Sequence, residues 1–239
     1  MEYFSQSNQD KFVDKIIFGG NKTNGYFLEI GAYDGITFSN TYTFEKYRNW
    51  KGICVEPIPT IFNKLRQNRK CDCIQGCIAE KEGVVQITHV DGPSEMLTGI
   101  TKNYDAAHSE RIENEIKERG GKKVIYDVKA YNLTDILIKK IINHIDYCSI
   151  DVEGSEWEVL KSIDFDKISF SCFSIENNYD DVLIVKFMCS KGYEFLGKLE
   201  ADDIYVSKKN QNIFRLKMMC KLYNFKNKSR NILSKFLKK

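Results

Sequence analysis

Short apolar runs alternate along the chain with stretches whose apolar residues recur at helical spacing. Strands that alternate with helices favour a parallel sheet, because a parallel pair needs a long crossover connection. The pattern predicts strands at 26–30, 52–55, 72–75, 145–150 and 168–175, and helices at 39–48, 59–69, 155–162 and 180–191.

The last two predicted strands, at 193–198 and 203–207, are separated by a connection too short for a crossover. They must therefore form an antiparallel hairpin. Together the strands predict an α/β fold with a Rossmann-like sheet of about seven strands, flanked by helices, with the last hairpin antiparallel.

Three further segments complete the predicted organisation. An amphipathic helix at 6–18 precedes the first strand, and the periodicity loosens at about 90–130, which is typical of an inserted region that faces the substrate. We therefore expect one domain over residues 1–207 and a separate tail over 208–239.

The first strand runs into the sequence Glu29-Ile-Gly31-Ala-Tyr-Asp-Gly35, and the second strand ends on Glu56. Glycines let the backbone turn tightly and approach a ligand closely. Glu29, at the first position, suits a cationic amino-acid ligand better than a phosphate. Glu56 can accept hydrogen bonds from both hydroxyls of a ribose. These features predict S-adenosylmethionine as the cofactor and a sheet of the class I methyltransferase type.

The predicted cofactor site comprises the loop after the first strand, the end of the second strand, the segment after the third strand and the end of the fourth. Its members are Glu29, Gly31, Tyr33, Asp34, Ser39, Asn40, Glu56, Pro57, Cys77, Ile78 and Asp151. Glu29 and Gly31 are expected under the methionine part and Glu56 at the ribose. Cys77 and Ile78 are expected beside the adenine, and Ser39 could simply cap the following helix.

Four runs of sequence resemble the FkbM family of S-adenosylmethionine-dependent methyltransferases. They are FLEIGAYDGITFSNTYTFE, WKGICVEPIP, SIDVEGSEWEVLKSIDF and FSIENNY. The resemblance covers roughly residues 4–207 and implies an O-methyltransferase that acts on a hydroxyl of a sugar or glycan. In the insertion, His108 and Arg111 match the family's pattern, which makes His108 a candidate catalytic base; a solvated helical histidine is the alternative.

Methyl transfer to an alcohol requires a base, or a metal ion that lowers the pKa of the hydroxyl. Asp151, Glu176 and Asn177 follow the fourth and fifth strands and form an all-oxygen set suited to Mg²⁺ or Mn²⁺. We predict Asp151 and Glu176 as catalytic residues and this trio as the candidate metal site. An Asp151 that only binds cofactor is the alternative.

The net charge of +3 conceals an asymmetry. Residues 208–239 contain eleven Lys or Arg and no Asp or Glu, so residues 1–207 carry 25 basic against 33 acidic side chains. The tail could contact an anionic membrane surface or nucleic acid, or its part 212–223 could dock on the acidic body, with 226–239 disordered. Docking is favoured.

An RNA 2′-O-methyltransferase is the alternative function, although the acidic strand ends disfavour binding of nucleic acid. A catalytically silent cofactor-binding module is a further alternative. Eight cysteines without a secretory pattern predict free thiols in a reducing, cytoplasmic location, in a host cell if the protein is viral. The acceptor and the oligomeric state do not follow from the sequence.

Overall fold

Eleven strands form two sheets in the computed structural model, which describes residues 1–103, 106–210 and 212–223, without the side chains of Met96, Asn103, Ala106, Ala107 and His108. The strands are β1 Tyr26–Ile30, β2 Lys51–Glu56, β3 Asp72–Gln75, β4 Cys77–Ile78, β5 Gly83–Asp91, β6 Gly99–Ile100, β7 Lys122–Tyr131, β8 His144–Ile150, β9 Ser169–Glu176, β10 Tyr193–Leu199 and β11 Asp202–Ser207.

The larger sheet has seven strands in the order β10-β11-β9-β8-β1-β2-β3. Strands β3, β2, β1, β8 and β9 are parallel, and β11 is antiparallel to both of its neighbours. The predicted sheet of about seven strands with an antiparallel final hairpin is confirmed. Because the parallel strands share one direction, their carboxyl ends lie at one edge, where ligands bind in open α/β sheets.

The helices are α1 Gln9–Phe12, α2 Tyr42–Arg48, α3 Pro59–Asn68, α4 Ala106–Arg119, α5 Leu133–Lys139, α6 Glu156–Lys161, α7 Val182–Ser190 and α8, which spans 213–223. The helix predicted at 6–18 is shorter than expected. It consists of α1 and a π-helical segment that follows it, Val13–Ile17. The helix predicted from Ser39 begins at Tyr42, but the Ser39 hydroxyl still accepts a hydrogen bond from the Tyr42 N–H at 3.0 Å.

Successive residues of the central strands point to opposite faces of the large sheet, as the pleat requires. Leu28, Ile53, Cys148 and Phe173 belong to one buried cluster, which includes side chains of α5, α6 and α7. Their preceding or following neighbours Phe27, Cys54, Tyr147 and Cys172 belong to a second cluster with α1, α2 and α8. The sheet is therefore covered on both faces, which explains its nearly continuous apolar strands.

A smaller sheet, in the order β4-β7-β5-β6, includes the strands of the inserted region and two that precede or enter it, β4 and β5. Long strands β5 and β7 pair antiparallel over their whole length, and α4 lies between them in the chain. The predicted insertion at 90–130 thus corresponds to the end of β5, short helical turns, β6, α4 and β7. Glu95, in one of those turns, contacts the large sheet's ligand edge through Tyr33.

Helix α8 docks on the body of the protein, as predicted for 212–223. Leu216 and Cys220 are buried in the second cluster, and the ring of Tyr223 meets that of Phe12 edge-to-face at 5.3 Å. The predicted disorder of 226–239 concerns residues outside the described part of the chain. Across the described residues, no helix has both the length and the apolar character needed to cross a membrane.

Candidate active site

The loop after β1 lies against the loop after β8. Gly31 has a φ of +84°, and a Cβ placed there would lie 1.7 Å from the carbonyl oxygen of Asp151. The N–H groups of Gly31 and Ala32 both donate to the Val55 carbonyl, at 3.1 and 3.0 Å. Gly31 is therefore required both for its backbone conformation and for the close approach of the two loops.

Replacement of Gly31 by Ala is expected to destabilise the protein by about 2–4 kcal/mol, because a left-handed residue and a backbone clash are combined. Gly120→Ala is the matched control, since Gly120 has a φ of +78° but no atom within 4 Å of an added Cβ. Chemical unfolding of both variants measures the difference. Equal losses in the two variants would contradict the role of the close approach.

Glu29 is the centre of a buried hydrogen-bond network. Its carboxylate accepts from the Ser39 hydroxyl, the Asn40 N–H at 2.6 Å, the Thr41 hydroxyl at 2.6 Å and Arg69 Nη1 at 3.0 Å. A carboxylate can accept about four hydrogen bonds, so these four donors occupy all of its acceptor positions. In this structure Glu29 organises the loop over 39–41 from beneath, and its predicted cofactor contact stays a prediction.

Arg69 completes this network from the end of α3. Its side chain is fully buried and pairs with Glu29 and Glu45, each at 3.0 Å. It also donates to the Gly35 carbonyl and the Thr41 hydroxyl. The guanidinium thereby joins both ends of the loop after β1.

Asn40 is buried beside the ligand edge. Its Nδ2 donates to the Ser149 hydroxyl at 2.8 Å, while its Oδ1 has no partner among the described residues. A buried carbonyl oxygen without a partner is costly, and a donor from a bound molecule would satisfy it. Asn40 thus has an acceptor oxygen available to a ligand, and its predicted contact with the cofactor stays a prediction.

Glu56 lies at the end of β2, and its carboxylate accepts two of the about four hydrogen bonds that it could accept. It accepts from the N–H groups of Ile58, at 2.9 Å, and Tyr33, at 3.1 Å. Burial raises the pKa of Glu56 to about 8, although these two N–H groups lower it. The two remaining acceptor positions fit the two hydroxyls of a ribose.

The other predicted cofactor residues lie in the loop after β1, in a cleft and in β4. Asp34 accepts from the N–H groups of Ile36 and Thr37 and so stabilises the turn. Pro57 lines a cleft of about 520 Å³ between β3 and β7. Cys77 and Ile78 form β4, where both are buried in hydrophobic clusters, and their contact with adenine stays a prediction.

Three carboxylates meet after β8 and β9. One oxygen from each of Asp151, Glu153 and Glu176 lies within 4.8 Å of the others. We refer to these residues as the acidic cluster. Burial raises the pKa of Asp151 well above its ordinary value, and the negative charges of Glu153 and Asp202 raise it further.

The pKa values of the other two members are also raised. For Glu153 the causes are burial and the charge of Glu176, opposed by the positive charge of Arg111 in α4. For Glu176 they are burial and the charge of Asp151. The cluster therefore holds protons at a pH where exposed carboxylates do not.

The third residue of the predicted metal trio, Asn177, has partners of its own within the fold. Asn177 turns away from Asp151 and Glu176: its Nδ2 donates to Asp203 at 2.8 Å, and its Oδ1 accepts from the Asp181 N–H at 2.7 Å. Both side-chain atoms are thus engaged within the fold, and the third oxygen close to those of Asp151 and Glu176 belongs to Glu153. The sequence contains a signal for this, since Glu153 lies in the run Asp-Val-Glu-Gly.

The insertion reaches the ligand edge through Glu95. Its carboxylate accepts from the Tyr33 hydroxyl at 2.7 Å, and this bond raises the pKa of Tyr33 to about 12. His89 faces Glu95 with 3.8 Å between Nε2 and Oε1. The predicted base His108 lies in α4, but its side chain is outside the described residues.

The comparisons with known proteins agree with this geometry. The family model of the methyltransferase FkbM domain matches residues 29–195. The chain belongs to this family. The match includes Glu29, Glu56 and all of the acidic cluster, and S-adenosylmethionine is the cofactor that this family and fold imply.

Individual relatives are more distant. The FkbM chain is 29% identical to the methyltransferase sdnD of Sordaria araneosa over 161 residues, which are 59% of this chain and 61% of the relative. The chain thus spans less than two thirds of that protein's length.

Two solved methyltransferase structures also resemble this chain. The METTL16 MTase domain gives a TM-score of 0.46 at 11% identity, covering 84% of this chain and 66% of that one. The precorrin-6y C5,15-methyltransferase from Geobacter metallireducens GS-15 gives 0.42 at 10% identity, covering 84% and 87%. Neither likeness bears on the acceptor.

Proposed function

We propose that this FkbM methyltransferase transfers a methyl group to a hydroxyl of a sugar or glycan. The observation that carries the proposal is the acidic cluster, where Asp151, Glu153 and Glu176 meet at the ligand edge of the sheet. Carboxylates accept strong hydrogen bonds from hydroxyls and repel phosphates. A neutral polyol is therefore a better acceptor for this surface than an RNA backbone.

The residues of the ligand edge fit S-adenosylmethionine. Glu56 retains two acceptor positions for the ribose, and Asn40 Oδ1 lacks a donor among the described residues. When bound, this cofactor supplies an electrophilic methyl group. The protein's own task is then to bind it, to orient the acceptor and to remove the acceptor's proton.

A sugar hydroxyl is barely acidic, so its proton must leave as the new bond to carbon forms. Burial and neighbouring like charges raise the pKa values of both Asp151 and Glu176. Such a pair, once it has lost a proton, is a stronger base than an exposed carboxylate at the same pH. We propose that this pair accepts the proton of the acceptor hydroxyl. The charge of Glu153 raises the pKa of Asp151, and the positive charge of Arg111 lowers that of Glu153.

The donor set of the acidic cluster also suits a divalent cation such as Mg²⁺ or Mn²⁺, which binds oxygen ligands. Calorimetric titration of Mn²⁺ into wild type and Asp151→Asn separates the two roles. Heat that requires Asp151 supports a metal site. Unchanged turnover in the presence of a chelator supports the carboxylate pair alone.

Glu176→Gln is expected to lower kcat by about 100-fold, because the amide cannot accept the acceptor's proton. Binding of S-adenosylhomocysteine should stay within about threefold of wild type, as Glu176 is not expected at the ribose or the methionine part. Labelled methyl transfer to a panel of methyl glycosides and to an oligoribonucleotide measures turnover.

The matched control is Glu200→Gln, at the exposed tip of the β10–β11 hairpin, which should keep wild-type kcat. Methylation of the oligoribonucleotide but of no glycoside would overturn the sugar assignment. Binding of cofactor without transfer to any member of the panel would favour the silent cofactor-binding module.

A further inference from the structure

Helix α8 has two apolar faces, of which the body of the protein covers one. Leu216 and Cys220 are 4% and 0% exposed and pack into the second hydrophobic cluster. By contrast, Phe214, Met218 and Leu222 are 84%, 52% and 53% exposed. Large apolar side chains aligned on one exposed helix face indicate an interaction surface.

The three exposed residues form a continuous stripe. With about 100° per residue, Phe214, Met218 and Leu222 fall within an arc of about 80° on the opposite side of the helix from the docked residues. Arg215 and Lys221, both exposed, lie on its two sides. We refer to Phe214, Met218 and Leu222 as the apolar stripe.

The charge around the apolar stripe has one sign. Residues 208–239 contain eleven Lys or Arg and no Asp or Glu, whereas the rest of the chain has an excess of acidic residues. An anionic surface therefore attracts this end of the molecule and repels the remainder, which fixes the orientation of approach.

We propose that α8 binds the surface of an anionic lipid bilayer, with the apolar stripe at the boundary between headgroups and acyl chains. An apolar face flanked by basic residues is the composition of interfacial helices. The docked face holds the helix against the protein, so the protein as a whole is carried to the surface. Nucleic acid is less suited, because Arg215 and Lys221 would hold it without using Met218 or Leu222.

Co-sedimentation of the full chain with phospholipid vesicles tests the proposal. We expect binding to vesicles of phosphatidylcholine and phosphatidylserine, and at least about tenfold weaker binding to phosphatidylcholine alone. The triple change Phe214→Ser, Met218→Ser and Leu222→Ser should weaken binding at least about tenfold. Arg215→Gln and Lys221→Gln should each weaken it about fivefold.

The matched control is the triple change Val84→Ser, Ile138→Ser and Ile141→Ser, at apolar residues that are 71%, 48% and 93% exposed. This control should bind vesicles as wild type does. Both triple variants should keep the wild-type affinity for S-adenosylhomocysteine, so membrane binding and the methyltransferase site are measured separately.

Two results would overturn the proposal. The first is equal sedimentation of wild type and the apolar-stripe variant. The second is wild-type retention on RNA in place of vesicles, which would make the basic tail a nucleic-acid contact.

Discussion

Loss of the Glu56 carboxylate is expected to weaken cofactor binding by about two to four orders of magnitude. Glu56→Ala removes two charge-assisted hydrogen bonds to the ribose, worth about 3–6 kcal/mol together, so the Kd for S-adenosylhomocysteine should rise about 10²–10⁴-fold. The carboxylate is preoriented for this task, because the N–H groups of Tyr33 and Ile58 hold it at the end of β2. Isothermal titration calorimetry measures the change.

The same residue predicts how binding depends on pH. Burial raises the pKa of Glu56 to about 8 in the ligand-free protein, and the ribose hydroxyls need the ionised form as acceptor. Binding therefore releases a proton below pH 8. Affinity should be constant above about pH 8 and fall by up to about tenfold per pH unit below it.

Two variants complete this experiment. Glu56→Gln keeps the side-chain volume but cannot ionise, so its weak binding should lose the pH dependence. Glu118→Gln, on the exposed part of α4, is the control and should match wild type. Wild-type affinity in Glu56→Ala would place the ribose elsewhere and remove the basis of the assigned cofactor site.

Arg69→Met is expected to destabilise the protein by about 3–5 kcal/mol, because it leaves Glu29 as a buried charge without its cation. The side chain of Arg69 is fully buried between Glu29 and Glu45 and also supports the loop after β1 through Gly35 and Thr41. For a chain of this length the melting temperature should fall by about 6–20 °C.

Arg66→Met is the matched control, one turn earlier on the same helix, where the side chain is exposed. It should lower the melting temperature by no more than a few degrees. A double variant, Arg69→Met with Glu29→Gln, removes both charges and should recover part of the lost stability. Additive losses in the double variant would show that the buried pair does not act as a unit.

The elements along the chain could be predicted because each leaves a local pattern. The apolar runs at 26–30 and 52–55 reflect the two covered faces of the large sheet, and the short connection before Asp202 leaves room only for a hairpin. Gly31 and Glu56 could be recognised for the same reason. Their chemistry depends on their position at the end of a strand, which the pattern locates.

The partners of each side chain depend on residues that are distant in the chain. Nothing near Arg69 indicates that it pairs with Glu29, forty positions earlier, because the contact depends on how α3 lies against the paired strands β1 and β2. Asn177 follows a strand end, as a metal ligand should, yet its amide is captured by Asp181 and Asp203.

The exposure of the apolar stripe also depends on tertiary packing. Within 213–223 the sequence shows only that apolar and basic residues alternate, and does not show which apolar face the protein covers. Packing against the body decides this, because burial of Leu216 and Cys220 leaves Phe214 and Met218 in solvent. The amino-acid order thus determined the strands, the helices and the acidic strand ends, whereas tertiary packing determined which of those groups are already paired and which face a ligand or a surface.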